Sequence, residues 1–415
     1  MSSRWKVREE WSLCLSISSL ANQLGYNWVA MNEAKQGLHI CYFGTYRQEY
    51  SRNQIMLAGL REAGAEVVEC HATLWRGIED RVAQASGGWR SLGFLGRVVG
   101  AYWQLLCSHH RLADYEVMLI GYPGPFDAYL GRLLSWWRGK PMVVDHYMSL
   151  YLIAEERGLV AKSPTTGWLI RTLEGGGLRL ANQLISDTAE YVAYHCRTYG
   201  LTPEQFELVP AGADNRFFHP HPHLQPPTTP FRVLYYGTYI PNHGVETMVQ
   251  AAGLLGDEPE IAFDFYGEGP ERPIVQQLAD QNKARITFHD WIAKENLPAV
   301  MAQSHLCLGV FGITPQSQMT VQNKIWEAAA MGRPIVSGDS VTVRAALEHS
   351  QAIYLVPRRN PQALAEAIVY LKNNPALCQK LGENAYTRFQ QGNTIGRLGA
   401  QTVAVLQKAM ARPYN

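Results

Sequence analysis

The stretch of this chain richest in chemistry lies between Asn323 and Gly338, where NKIWEAAAMGRPIVSG runs from a polar loop into a helix and then a strand. Lys324, Glu327, Ala328 and Met331 share helical spacing, and Gly332 and Pro334 close the helix ahead of Ile335-Val336. A helix beginning at Asn323 turns unpaired backbone N–H groups and the positive end of its dipole toward whatever precedes it, which suits a phosphate. One turn in, the Glu327 carboxylate can accept hydrogen bonds from ligand hydroxyls. The same spacing also fits an amphipathic helix whose Lys and Glu are simply solvated. Asp145-His146 is a second candidate, because it follows the strand-like run Met142 to Val144. The carboxyl end of a parallel strand faces the ligand crevice, where an Asp or His can hold hydroxyls and His can move a proton near neutral pH. A loop-capping Asp beside a His in an ordinary polar contact fits equally well. Arg47, Arg52 and Asn53 could contact phosphate or simply start a helix.

These groups need elements to carry them. Leu38 to Phe43 is a short apolar run ending at Gly44, the signature of a buried parallel strand. Asn53 to Ala63 shows helical spacing, with a second strand at Glu66 to Cys70. Strand-like runs recur at Val117 to Ile120, Met142 to Val144 and Gln183 to Ser186, with helical patterns between. Residues His219 to Pro230 hold five Pro in twelve positions and sustain neither helix nor inner strand. The alternation then restarts at Phe231 to Tyr236, with a helix at Val245 to Leu255. Strands follow at Ala262 to Tyr266, Arg285 to Phe288, Leu306 to Val310, Pro334 to Ser337 and Ile353 to Val356, and Pro361 to Met410 reads as nearly all helix. The two starts echo one another: Tyr42-Phe43-Gly44-Thr45-Tyr46 and Tyr235-Tyr236-Gly237-Thr238-Tyr239. Such an α/β chain predicts two Rossmann-like, doubly wound domains facing a central cleft. Residues 38–215 form the first and 231–392 the second, joined by a Pro-rich linker over 216–230. Residues 1–37 read as a loose, disordered tail and 393–415 as a C-terminal helix.

Composition bounds the answer. At about 150 residues per domain, 415 residues make two to three units. Thirty-seven Lys and Arg against thirty-six Asp and Glu argue against whole-surface nucleic-acid binding. Seven Cys without a Cys-x-x-Cys pair read as reduced thiols in a cytosolic protein. Leu92 to Cys107 is apolar but carries Arg97 and falls short of the roughly 20 residues that span a bilayer. Trp11 to Ala21 is too Ser-diluted for a signal peptide. His219, His221 and His223 alternate with Pro and hold no fixed metal geometry, while Gly267-Glu268-Gly269 lacks the third Gly of a dinucleotide fingerprint. Glu9-Glu10 and Glu155-Glu156 point apart on a helix and read as solvated surface. Trp89, Phe94, Arg97, Trp103, Trp136, Trp137 and Arg138 either pack as core or line a membrane-facing surface.

Taken in order, these segments resemble the GT-B glycosyltransferases of the family 4 (group 1) type. Glu327-Ala-x-Ala-x-Gly-x-Pro-Ile-Val looks like the donor-binding helix and following strand of that family. Val209-Pro210-Ala211-Gly212-Ala213-Asp214, with Phe217 and Pro220, is similar to its inter-domain signature. Tyr236-Gly237-Thr238-Tyr239 with Gly244 and Thr247, Phe263 to Arg272, Ile286 to Trp291, Leu297-Pro298 and Pro361 to Leu371 also fit. The resemblance covers about Leu38 to Met410, most closely after Leu208. It implies a retaining transferase that moves a sugar from a nucleotide-diphosphate sugar to an acceptor hydroxyl, with no obligatory metal and no cofactor beyond that co-substrate. It places Glu327 at the ribose, the backbone of Gln322 and Asn323 at phosphate, and Gly44 where the chain approaches the diphosphate. Thr45, Gly237, Thr238, Gly267, Trp291 and Thr320 complete the donor side, and Asp145, His146 and Lys324 are the catalytic candidates. Three positions depart from the pattern. Met319 stands where the first Glu of a pair is expected, and Thr238 and His243 where Arg and Lys would neutralise diphosphate; Lys324 can supply the missing charge. The implied setting is cytoplasmic polysaccharide or glycolipid assembly, with a saccharide or lipid-linked acceptor, no nucleic acid, and peripheral contact with the inner face of the membrane. Two rivals accommodate the same departures: a non-catalytic nucleotide-sugar-binding protein, and a nucleotide-sugar epimerase on the same scaffold.

Overall fold

The computed structural model describes residues 37–74 and 91–412. The tail expected over 1–37 lies, but for Gly37, outside the described residues, as do Trp11 to Ala21, Glu9-Glu10 and Trp89.

The described residues build two parallel six-stranded sheets. The first contains β1 (His39–Gly44), β2 (Glu66–His71), β3 (Val117–Ile120), β4 (Met142–Asp145), β5 (Gln183–Ser186) and β6 (Phe206–Leu208), in the order β2-β1-β3-β4-β5-β6. The second contains β7 (Phe231–Tyr236), β8 (Ile261–Tyr266), β9 (Ile286–His289), β10 (Leu306–Leu308), β11 (Ile335–Gly338) and β12 (Tyr354–Val356), in the order β12-β11-β10-β7-β8-β9. Both orders turn back beside the opening strand, and β1 and β7 each pair with neighbours on both sides. The crevice of a doubly wound sheet opens at that switch point, beyond the carboxyl ends of the strands. The glycines that end or follow these strands therefore border it.

In the first half, α1 (Ser51–Glu62) follows β1, α2 (Leu92–Arg111) precedes β3, α3 (Asp127–Trp137) precedes β4, α4 (Pro164–Arg179) precedes β5 and α5 (Ala189–Tyr199) precedes β6. Right-handed crossovers put α1 on one face and α2 through α5 on the other. The buried clusters agree. Leu105, Leu134, Leu178 and Val192 pack on one face of the sheet with Phe43 and Met118. Leu60 packs on the other face with Ile40 and Tyr42. In the second half, α6 (Pro315–Met319) and α7 (Asn323–Ala330) fill the connection between β10 and β11.

Most of the expected strands and helices stand within a residue or two of their predicted bounds. β6 was not anticipated, because three residues at a sheet edge carry no period to read. The helical tail is three helices, α8 (Pro361–Lys372), α9 (Pro375–Gly392) and α10 (Ile395–Ala411), the second begun by a Pro in its first turn and the third by the Thr394 cap. The last of them does not stay with the second sheet. Leu398, Val403 and Leu406 of α10 pack beside Leu60 and Ile40 of the first half. The crossing is close: a Cβ on Gly399 would stand 1.9 Å from the Gly59 carbonyl oxygen.

A candidate donor site at the switch point of the second sheet

Gly237 follows β7 with φ +138, a conformation that side-chain-bearing residues rarely adopt. A Cβ there would stand 2.8 Å from Lys324 Nζ, so the bare backbone lets the amine of α7 come up beneath the strand end. Gly267, after β8, has φ +132 and lies so close that its Cβ would meet the Gly237 oxygen at 2.1 Å. Lys324 is buried. Its Nζ lies 4.4 Å from the Tyr235 ring centroid and 3.3 Å from His243 Nδ1, which is also 3.0 Å from the Tyr235 hydroxyl. Burial pushes the Lys324 ammonium down to about 7. Burial and the neighbouring Lys324 together hold His243 well below the ordinary histidine range, so it stays neutral.

Glu327, one turn along α7, accepts a hydrogen bond from the Tyr236 hydroxyl at 2.9 Å, and burial raises its pKa against that bond. Gln322 and Asn323 head the helix. The Gln322 amide donates to the Ser317 carbonyl at 3.1 Å, and Arg358 ties the same loop through the Gly312 and Ser317 carbonyls. The Thr238 carbonyl accepts from Tyr235 OH at 3.1 Å, and Trp291 stands exposed just beyond β9. Among the described residues no three His, Cys, Asp or Glu side chains converge as metal ligands.

Across from this cluster, the first half offers a second glycine turn. Gly44 has φ +133, and a Cβ there would meet Asp127 Oδ2 at 2.6 Å. That carboxylate accepts from the Thr45 backbone N–H at 2.7 Å and from Tyr102 OH at 3.2 Å, while burial pushes it up to about 6. Asp145 and His146 do sit at a strand end, but both are fully buried. Asp145 takes a bidentate pair from Arg52, with both N···O distances 2.9 Å, and Arg52 also donates to the Pro210 carbonyl at 2.8 Å. His146 Nε2 lies 3.1 Å from Glu174, with the His195 ring 4.4 Å away. Asn53 bonds Tyr42 and the Tyr122 backbone.

The halves touch directly. Thr320 Oγ1 donates to Asp187 Oδ2 at 2.6 Å, and Thr188 Oγ1 donates to the Met319 carbonyl at 2.6 Å. Glu156 Oε1 accepts from the Gln316 N–H at 2.7 Å, so this carboxylate, expected on solvated surface, is an inter-domain contact. A cavity of about 200 Å³ opens between Pro220, His221, Arg333 and Tyr386, at the Gly332 end of α7 and away from Asn323.

Sequence reasoning missed three participants. Tyr236 was read as a strand end and as the first residue of the Tyr236-Gly237-Thr238-Tyr239 motif, with no role in the site. Asp127 lies 82 residues from Thr45, and no local pattern links them. Asp187 follows β5 at the same strand-end position that drew attention to Asp145, and that rule would have found it.

Residues 230–374 match the sequence model of the family described as Glycosyl transferases group 1. That segment, from β7 through α8, is similar to the group 1 glycosyltransferases. Its curated relatives include alpha-D-kanosaminyltransferase of Streptomyces kanamyceticus, 28% identical over 156 residues, which are 37% of this chain and 39% of that protein. The MMP alpha-(1->4)-mannosyltransferase of Mycolicibacterium hassiacum is 23% identical over 67% of this chain and 61% of its own length. The matches thus span less than two thirds of either glycosyltransferase. Sucrose-phosphate synthase from Thermosynechococcus elongatus superposes on 90% of this chain and 99% of its own, with a TM-score of 0.67 at 17% identity. HepE of Anabaena in complex with UDP-glucose covers 89% and 98%, with a TM-score of 0.62 at 15% identity. The fold is GT-B, as the resemblance implied, and both halves of the molecule take part in it.

Proposed function

We propose that the chain transfers a glycosyl group from a nucleotide-diphosphate sugar to an acceptor hydroxyl, with retention at the anomeric carbon, in polysaccharide or glycolipid assembly. The observation that carries this reading is the Lys324 amine lodged under Gly237 at the head of α7. A departing diphosphate needs positive charge fixed in place before it forms, and an amine with helix N–H groups supplies it without reorganisation. Glu327, oriented by Tyr236, takes the ribose hydroxyls. The backbone of Gln322 and Asn323 at the head of α7 takes the phosphate oxygens beside Gly237, where Lys324 contributes one of the positive charges. Asp145 acts through Arg52 rather than on substrate, since both its oxygens are taken. His146, buried between Glu174 and His195, likewise supports this strand end rather than touching substrate. Donor entry requires the Thr320–Asp187 and Thr188–Met319 bonds to open, and their closing again excludes the water that would hydrolyse the donor.

A thermal-shift screen of UDP-, GDP-, ADP- and dTDP-sugars tests the reading, because a donor at a hundred times its Kd stabilises the folded chain by about 2.7 kcal/mol. With the donor so chosen, Lys324→Ala should lower turnover roughly a hundredfold or more without unfolding the protein. Stabilisation by a nucleotide sugar without release of diphosphate to any acceptor hydroxyl would favour the non-catalytic rival, and conversion of donor without acceptor the epimerase. Wild-type turnover in Lys324→Ala would remove this residue from the site.

A further inference from the structure

We propose that the outer face of the helical layer formed by α2, α3 and α4 docks on an anionic lipid bilayer. Each of these helices buries one side and leaves a second apolar side in water. On α2, Ala101, Leu105 and His109 pack inward, while Leu92 is 86%, Val99 69% and Trp103 68% exposed. Those three fall on one stripe, with exposed Leu95 and Leu106 between and beyond them. Trp136 and Trp137 end α3 at 65% and 63% exposure, and Trp168 near the start of α4 is 67% exposed. The three helices form one surface. The Trp137 ring stacks on His110 of α2, Arg138 donates to the His109 and Leu112 carbonyls, and Tyr129 of α3 donates to the Leu173 carbonyl of α4 at 2.9 Å. Isolated exposed apolar residues need no explanation, but four tryptophans with four aliphatic neighbours on adjoining helices form a patch of the kind that marks an interaction surface.

Charge selects the occupant. The chain as a whole is balanced at +1. These three helices, however, carry five arginines, Arg97, Arg111, Arg132, Arg171 and Arg179, against two carboxylates, Asp127 and Glu174, and both carboxylates are buried. The accessible charge of the layer is therefore all positive. Nearby Asp114 is paired with Lys140 at 2.9 Å. Tryptophans and arginines on one face seat an amphipathic helix at the boundary between headgroups and acyl chains, the rings in the apolar side and the guanidinium groups at anionic headgroups. Among the described residues no helix is long and apolar enough to cross a membrane, and α2 has its inward side committed to the sheet. It lies on the bilayer rather than through it. This reading is independent of the transfer reaction.

Flotation of the full chain with vesicles of phosphatidylcholine, alone or mixed with phosphatidylglycerol, tests it. The protein should float with the mixed vesicles, stay in solution with phosphatidylcholine alone, and be released by high salt. Exchanging Trp103, Trp136, Trp137 and Trp168 together for Ala should lower the bound fraction about tenfold or more. Each of Arg111→Glu and Arg171→Glu should lower it about fivefold. All these positions are exposed, so an unchanged melting temperature shows that each variant is folded. Three results would overturn the proposal. The first is recovery wholly in solution with the anionic vesicles, including the case where binding appears only after removal of residues 1–36. The second is flotation of the tryptophan variant at the wild-type level. The third is a dimer that the tryptophan substitutions dissociate while vesicle binding persists.

Discussion

Burial holds the Lys324 amine at about 7, close enough to neutrality that a ligand can decide its charge. The folded chain binds fewer protons than the unfolded chain between about pH 7 and the ordinary lysine range, so this group's share of stability grows as pH rises across that window. An anionic diphosphate beside Nζ reverses the preference, because it favours the ammonium. Donor binding at pH 8 should therefore take up close to one proton per site. Calorimetry in two buffers of different ionisation enthalpy measures it, and Lys324→Met should abolish the buffer dependence. His243 is not the source of such a proton, since burial and Lys324 already hold it far below the histidine range. The sequence pointed to Lys324 and Glu327 through helical spacing alone. It did not reveal that Tyr236 holds one and Gly237 admits the other, because those contacts join a strand end to a helix about ninety residues away.

At the scale of elements, α10 is the least expected placement. Its amphipathic pattern announces a helix but not the surface it covers. That surface is α1 of the first half, reached because Gly59 and Gly399 let two backbones touch. Gly399→Ala would improve intrinsic helix propensity by about 1 kcal/mol. Its methyl would nevertheless fall 1.9 Å from the Gly59 carbonyl, and the backbone cannot yield as a flexible side chain does. The net result should be destabilisation of about 3 kcal/mol, read as a lower denaturation midpoint. A variant as stable as the parent would show that the helices do not cross where the structure places them.

For the whole molecule, the junction of the two halves rests on polar groups withheld from water. Asp187 is buried, and burial pushes its carboxyl up to about 7 despite the Thr320 hydrogen bond. The folded state then holds this proton more tightly than the unfolded state. The associated stability is complete below about pH 4 and is lost as pH rises through about 7. Asp187→Asn removes the charge that would form there. The variant should match the parent at pH 5 or below it, and exceed it by about 2 kcal/mol at pH 8. Equilibrium unfolding of both proteins at the two pH values checks the prediction; an identical pH dependence would place Asp187 outside the closed junction.

Strand and helix alternation, the restart after the Pro-rich segment and the two glycine turns were all readable before any coordinates, because buried parallel strands are continuous apolar runs and glycine answers a local backbone demand. The tertiary structure alone decided what each polar strand end does. Asp145 looked catalytic by position, yet Arg52, 93 residues earlier, takes both its oxygens. Glu156 looked solvated, yet a backbone N–H from the other half closes on it. A carboxylate's role depends on which donor and how much water surround it, and those are set by packing between segments whose spacing along the chain carries no periodic signal.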